Sequence, residues 1–259
     1  MGLDQSREES WTVIFRVIGG IVFLLGILGF FLIQEKPSEK AEPVRYAAAL
    51  IYGFRPSVIK QNSELYVTLL AYAVFGISIQ IFMPYLILYY TVTLGMENYV
   101  LLFAPAIILA AAFTFFYGKV YDRRGFTFSV VPALILLMAG YVLLYFFAGT
   151  VIVFLGTLIM LCGYLAGMAV FGAMLRDRTP EGKAGMFQGQ RIIGQVLIPG
   201  IIGPSIGAFV LRNADTVTNS DGTVSFVPDR MIFLAAFIAA ALIWGALIPV
   251  FRRKGTDGK

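Results

Sequence analysis

Two stretches of an otherwise apolar sequence carry side chains that could hold a polar molecule. One contains Tyr72, Ser78, Gln80 and Tyr85, then Tyr89 and Tyr90, and is interrupted by Pro84. The other, MFQGQRIIGQ, sets Gln188, Arg191 and Gln195 at i, i+3 and i+7, along one face of a helix. An amide both donates and accepts, and a phenol adds a hydroxyl and a ring face. Gln80, Tyr85, Tyr72 and Gln195 are therefore candidates to hydrogen-bond and stack on a small polar solute, a sugar among them. Arg191, one to two turns inside its run, could clamp an anionic group. The favoured reading is a cytoplasmic gate formed with Gln188, its guanidinium reaching back to water. Packing competes with each of these roles. Gln80 could bridge two helices, and Tyr89 and Tyr90 read best as part of an aromatic belt at a membrane interface.

Other chemistries lack their residues. The 259 residues include no histidine, which removes the commonest metal ligand, the imidazole base and any Ser-His triad. The one cysteine, Cys162, lies inside an apolar run and cannot form a disulfide within the chain. No enzyme, metal or cofactor is expected. The net charge of +5 is not gathered into a basic stripe with interleaved aromatics, so nucleic acid is not expected as a partner. No Asp, Glu, Lys or His lies deep within an apolar run, so a proton-coupling carboxylate or histidine would have to be supplied from elsewhere.

The elements that hold these residues must be membrane helices. The chain is 59% hydrophobic and 14% charged, with a mean hydropathy of +0.82, far from the balance of a soluble domain. A crossing needs about 20 apolar residues. Seven segments qualify: 11–33, 66–90, 99–117, 127–149, 151–174, 187–211 and 231–251. Their unbroken apolarity argues for helices over barrel strands, which would alternate. The first is too long for a signal peptide, and its leader MGLDQSREES has three acids against one base. Fifteen of the 20 bases fall in alternate linkers and the tail, which predicts an external N-terminus and a cytoplasmic C-terminus in the cell membrane. Residues 34–65 read as a cytoplasmic linker ending in an amphipathic interfacial helix, and 252–259 as a cytoplasmic tail. Asp221-Gly222 in TVTNSDGTVSFVP signals an external β-hairpin.

Between the third and fourth runs stands YGKVYDRRGF. Gly118, Asp122, Arg123 and Gly125 are spaced as G-x-x-x-D-R-x-G. Gly118 would allow a close backbone approach where a helix ends, and Gly125 a positive φ. Asp122 would accept hydrogen bonds or lie near a helix N-terminus. This resembles the loop motif of the major facilitator superfamily, although Phe126, Thr127 and Phe128 stand where that family has further bases. Between the fifth and sixth runs, RDRTPEGKAGMFQGQR is similar to the polar loop preceding a glycine-rich helix of the family. PGIIGPSIGA, with Gly203, Pro204 and Gly207, resembles that helix's G-x-x-x-G-P-x-x-G-G motif, with Pro199 and Ala208 in place of two glycines. Pro204 would remove a helix hydrogen bond, and the glycines would thin the helix for close packing.

The resemblance implies an all-α, polytopic membrane protein: a C-terminal six-helix transporter bundle over 66–251, preceded by the helix of 1–33. These would correspond to helices 6 to 12 of a twelve-helix carrier. It further implies a secondary transporter working by alternating access, with the charged turn as a gating loop and a missing or separate N-terminal half as partner beside the bilayer. A seven-helix receptor-like protein and a non-functional transporter fragment are the alternatives. The first leaves GKVYDRRG and GPSIGA unexplained.

Overall fold

The computed structural model describes residues 8–32, 51–96, 98–218 and 222–254. The chain divides into two units, Met1–Arg45 and Tyr46–Lys259. The first contributes helix α1 (Glu8–Leu32), whose apolar side chains, from Phe15 to Leu32, are exposed all round. A helix apolar on every face has no stable place in water and is long and apolar enough to span a membrane.

The second unit is a helical membrane bundle. A 3-10 turn (Tyr52–Phe54) leads into α2 (Pro56–Gln61). The interfacial helix expected across 46–61 is therefore not continuous where it is described. Arg55, before Pro56, is extended at φ −69°, ψ 131°, and the proline starts a new helix at its first turn. The rest of that stretch, like Lys36, Lys40 and Arg45 of the linker, lies outside the described residues.

Helix α3 (Ser63–Phe82) runs on through a 3-10 turn at Met83–Tyr85, where Pro84 lacks an N–H, and a π-helical stretch, Tyr89–Thr93. Helix α4 (Tyr99–Phe146) has 48 residues and would be about 72 Å long if straight. It is not straight. Gly125 takes φ 73°, ψ −177°, a region open essentially to glycine alone, and the chain doubles back there. Leu102 and Thr150 line one cavity although α4 lies between them. Ala106 and Ala110 of the first arm and Ala133 and Leu137 of the second pack on neighbouring residues of α5 (Thr150–Arg178), Leu161 and Gly163. The 6 helices long and apolar enough to span a membrane thus make seven crossings among the described residues.

Helix α6 (Ala184–Ile192) passes through a π turn (Ile193–Leu197) into α7 (Ile198–Val210). Strands β1 (Thr216–Thr218) and β2 (Val224–Phe226) pair antiparallel, Thr216 opposite Phe226, as the hairpin signal predicts. Helix α8 (Met231–Lys254) is the last described element.

Glycines set the closest helix contacts. A methyl at Gly140 would come 2.5 Å from Met160 Cα, and one at Gly163 would be 2.6 Å from Leu137 Cα, so α4 and α5 touch backbone to backbone. Buried hydroxyls add cross-links. Ser78 Oγ lies 3.0 Å from Tyr141 Oη and donates to the Ala236 carbonyl at 2.9 Å, joining α3, α4 and α8. Tyr89 and Tyr90 are 0% and 1% exposed, which corrects their reading as an interfacial belt. Tyr90 Oη is 2.5 Å from Thr157 Oγ1, and the Tyr89 hydroxyl donates to the Leu144 carbonyl at 3.4 Å. The hydroxyls find their partners inside the bundle, so burial costs them no hydrogen bond.

Candidate functional site

Helix α3 and the α6–α7 segment run parallel, and their contacts climb in step. Methyls added at Gly194, Gly76 and Gly207 would meet Leu69 at 2.6 Å, Pro199 at 2.7 Å and the Ile81 carbonyl at 2.5 Å. Gly203 backs onto Gln80 in the same series. The small residues of PGIIGPSIGA thus bring α7 against the backbone of α3.

Beside this seam, where α5 comes near, lies a cavity of about 110 Å³. Its lining includes Tyr72, Phe75, Ile79 and Gln80 from α3, Tyr164 from α5, and Gln195 from the π turn. Tyr164 is the middle residue of α5, and Gln80 is about halfway along the Ser63–Thr93 span, so the cavity sits at mid-length of the bundle. Tyr72 is 7% exposed and stacks on Phe171 with ring centroids 5.2 Å apart. Among the described residues, Gln195 Nε2 is buried with no hydrogen-bond partner. A buried amide donor in this state is free to bond an acceptor that enters the cavity. The π turn itself is of a kind common at functional sites.

Three of the four candidate solute-binding residues thus share one cavity: Tyr72, Gln80 and Gln195. Tyr85 does not line it; its ring lies over Gly207, 2.6 Å from where a methyl there would stand. Gln188 is exposed, whereas its neighbour Gln190 is buried at 4% beneath Gly53 of the 3-10 turn. Turning the Gln190 amide lets it donate to the Phe187 carbonyl at 3.1 Å. Arg191 is half-buried, and its Nε has no partner among the described residues. Tyr164 was missed in sequence. Its signal was a tyrosine at the centre of an apolar run, between the packing glycines Gly163 and Gly167.

The charged motif sits at the opposite end from the hairpin. Helical geometry persists through Lys119, Asp122, Arg123 and Arg124, and only Gly125 departs from it, so the turn is one residue rather than a loop. Gly118 makes no close approach, since a methyl there would meet nothing within 4 Å. Asp122 is exposed and lines a cavity of about 390 Å³ with Tyr121, Gly125, Arg176, Asp177 and Arg178. The Tyr121 hydroxyl donates to Asp177 Oδ2 at 2.6 Å, and Arg178 forms an ion pair with Glu64. These contacts tie the turn to the end of α5 and the start of α3. Nearby, Lys183 Nζ donates to Tyr52 Oη at 3.1 Å and lies over its ring, and the Tyr66 hydroxyl donates to the Gly53 carbonyl.

A larger cavity, about 500 Å³, opens near the hairpin end beside Leu101 and Val151, which are 76% and 72% exposed. Its walls are almost wholly apolar, so lipid suits it better than a polar solute. Among known proteins, a family model described as Major Facilitator Superfamily matches residues 6–204, well over half of the chain. No curated protein and no solved structure matches it.

Proposed function

The chain belongs to the Major Facilitator Superfamily of secondary transporters, and on that premise we propose that the mid-length cavity is part of the path of a small polar solute, moved by alternating access. The observation that carries this reading is Gln195 Nε2, a buried donor without an acceptor, in a cavity shared with Tyr72 and Gln80. Polar groups at such depth are costly unless packing or a ligand uses them, and packing gives this one no partner.

Cavity size bears on the rest of the site. Complete small-molecule sites run to about 300–1,000 Å³, whereas this one holds about 110 Å³. A second wall from an N-terminal transporter half, preceding or separate, would enlarge it, and a sugar would need that wall. The positive-inside distribution of bases supports a cytoplasmic location for the Gly125 end, in the cell membrane, with the hairpin outside. There Asp122 and Arg123, next to the Tyr121–Asp177 contact and the Arg178–Glu64 pair, would act as a gate that closes when these elements meet. Arg191 and Gln188 stand between that gate and the cavity.

Osmotic swelling of proteoliposomes holding the full chain tests this. Erythritol, xylose and propionate serve as probes. Entry of at least one above protein-free vesicles, reduced by Gln195→Leu, is expected. Protein-free rates for all three would sink the reading.

A further inference from the structure

Helix α6 is short and thinly supported. It has 9 residues, and Gly185 and Gly189 are exposed with open space around them, so its own propensity is low. Among the described elements, its backbone packs on the 3-10 turn Tyr52–Phe54 and on the π turn that follows it, and hardly on anything else. The 3-10 turn grips it at two points. Gly53 is seated on the Gln190 amide, where a methyl would stand 2.6 Å from Gln190 Oε1. That side chain is 4% exposed, and its amide turns back on the Phe187 carbonyl, so it has little room to yield. Tyr52 meets the ring of Phe187 edge-on with centroids 5.9 Å apart, and Lys183 Nζ donates to the Tyr52 hydroxyl. From the start of α3, the Tyr66 hydroxyl donates to the Gly53 carbonyl and ties the turn to that helix.

Breaks in the helices lie on both sides of this grip. On one side Arg55 is extended and Pro56 starts a new helix, so the turn is not continuous with α2. On the other the π turn Ile193–Leu197 interrupts the α6–α7 segment, and helices bend at such places. From Gly194 onward that segment is packed on α3, with Leu69 against Gly194 and Gln80 against Gly203. Motion is therefore confined to α6. The grip itself is shallow: Gly53 is buried, but its neighbours Ile51 and Phe54 are 57% and 48% exposed. A contact that buries so little apolar surface opens at low cost.

We propose that the 3-10 turn is a strap: seated on Gln190 and Phe187, it holds α6 closed across the approach to the mid-length cavity from the Gly125 end. Its release lets α6 swing about the π turn and opens that approach to Gln195. The proposal rests on the reading of this cavity as the solute path. Gly53 and Tyr66 are positioning residues, since neither lines the cavity and both act through α6.

The test measures the swing directly. In the full chain with Cys162→Ser, spin labels are placed through Gly189→Cys on α6 and Ile135→Cys on α4, both exposed positions, and their separation is read by double electron–electron resonance. A main separation with a minor second one is expected. Tyr66→Phe removes one hydrogen bond of the strap and should raise the share of the second about two- to tenfold. Gly53→Ala should raise it further. A short bis-maleimide joining Tyr52→Cys to Lys183→Cys, each label then attached through a non-cysteine handle, should abolish it. One unchanged separation in all of these, or a melting temperature lowered by Tyr66→Phe with no change in separation, overturns the strap. Should Gly53→Ala fail to fold, Tyr66→Phe and the cross-link decide. The transport reading fails separately. Separations that shift as expected, with none of erythritol, xylose or propionate entering proteoliposomes, support the strap and overturn the solute path. Entry of a probe at the same rate before and after cross-linking does the reverse.

Discussion

Gly203 of α7 lies directly against Gln80 of α3: a methyl added to the glycine would stand 2.9 Å from the Gln80 carbonyl carbon and closer still to its Cβ. One of the polar side chains of the cavity is thus placed by the absence of a side chain on the neighbouring helix. Backbone cannot swing aside as a flexible side-chain end can, so α7 must move off. Gly203→Ala is expected to cost about 1–3 kcal/mol through overpacking and to lower the melting temperature in detergent, with solute flux falling further than stability explains. A thermal-shift assay and the swelling assay on the same preparation check both parts.

At the doubled-back helix, two glycines of one motif should respond oppositely. Gly125 holds φ 73°, ψ −177°, so Gly125→Ala is expected to lose about 1–3 kcal/mol and to impair assembly of the α4 hairpin. Gly118 is helical and open around its Cβ, so Gly118→Ala should be neutral or stabilising by up to about 1 kcal/mol. Expression yield and melting temperature of the pair decide this.

The hydroxyl bridge between α3 and α4 makes a further prediction. Tyr141→Phe removes one bond of Ser78 but leaves its bond to the Ala236 carbonyl, so a loss of about 0.5–1.5 kcal/mol is expected. Adding Ser78→Ala to Tyr141→Phe should cost less than the sum of the single changes. Additive losses in a double-mutant cycle on melting would count against a working bond.

Orientation can be read by chemistry. With Cys162 replaced by serine, a cysteine at Arg123 should resist a membrane-impermeant maleimide added to intact cells, and one at Thr218 should react. The opposite pattern would invert the topology inferred from the bases.

The crossings were legible in sequence because a span depends on about 20 consecutive apolar residues and little on its neighbours. Gly125 was legible for a similarly local reason: a charged, glycine-ended turn between apolar runs marks where the chain reverses. Tyr89 and Tyr90 were not. Hydropathy does not separate a tyrosine at the bilayer surface from one buried in a bundle, and the partner of Tyr90, Thr157, lies 67 positions away. Gly118 looked like a site of close approach by its spacing alone, and only the packing reveals open space there. In the cavity, Tyr72, Gln80 and Gln195 could be nominated as polar residues within spans. That they meet depends on the parallel register of α3 with α6–α7, which no local pattern encodes, and Tyr164 enters only once α5 is docked.

The reversal at Gly125 has a corollary for how this hairpin tolerates change. With a single non-helical residue between the arms there is no slack to absorb a length difference. One residue inserted in the second arm would rotate everything beyond it by about 100° relative to what precedes it. Ala133 and Leu137 would then turn away from Gly163, and Tyr141 from Ser78. The hairpin behaves as a phase-locked part: side chains on its surface can be exchanged one for another, but its residue count between Gly125 and Tyr141 cannot drift.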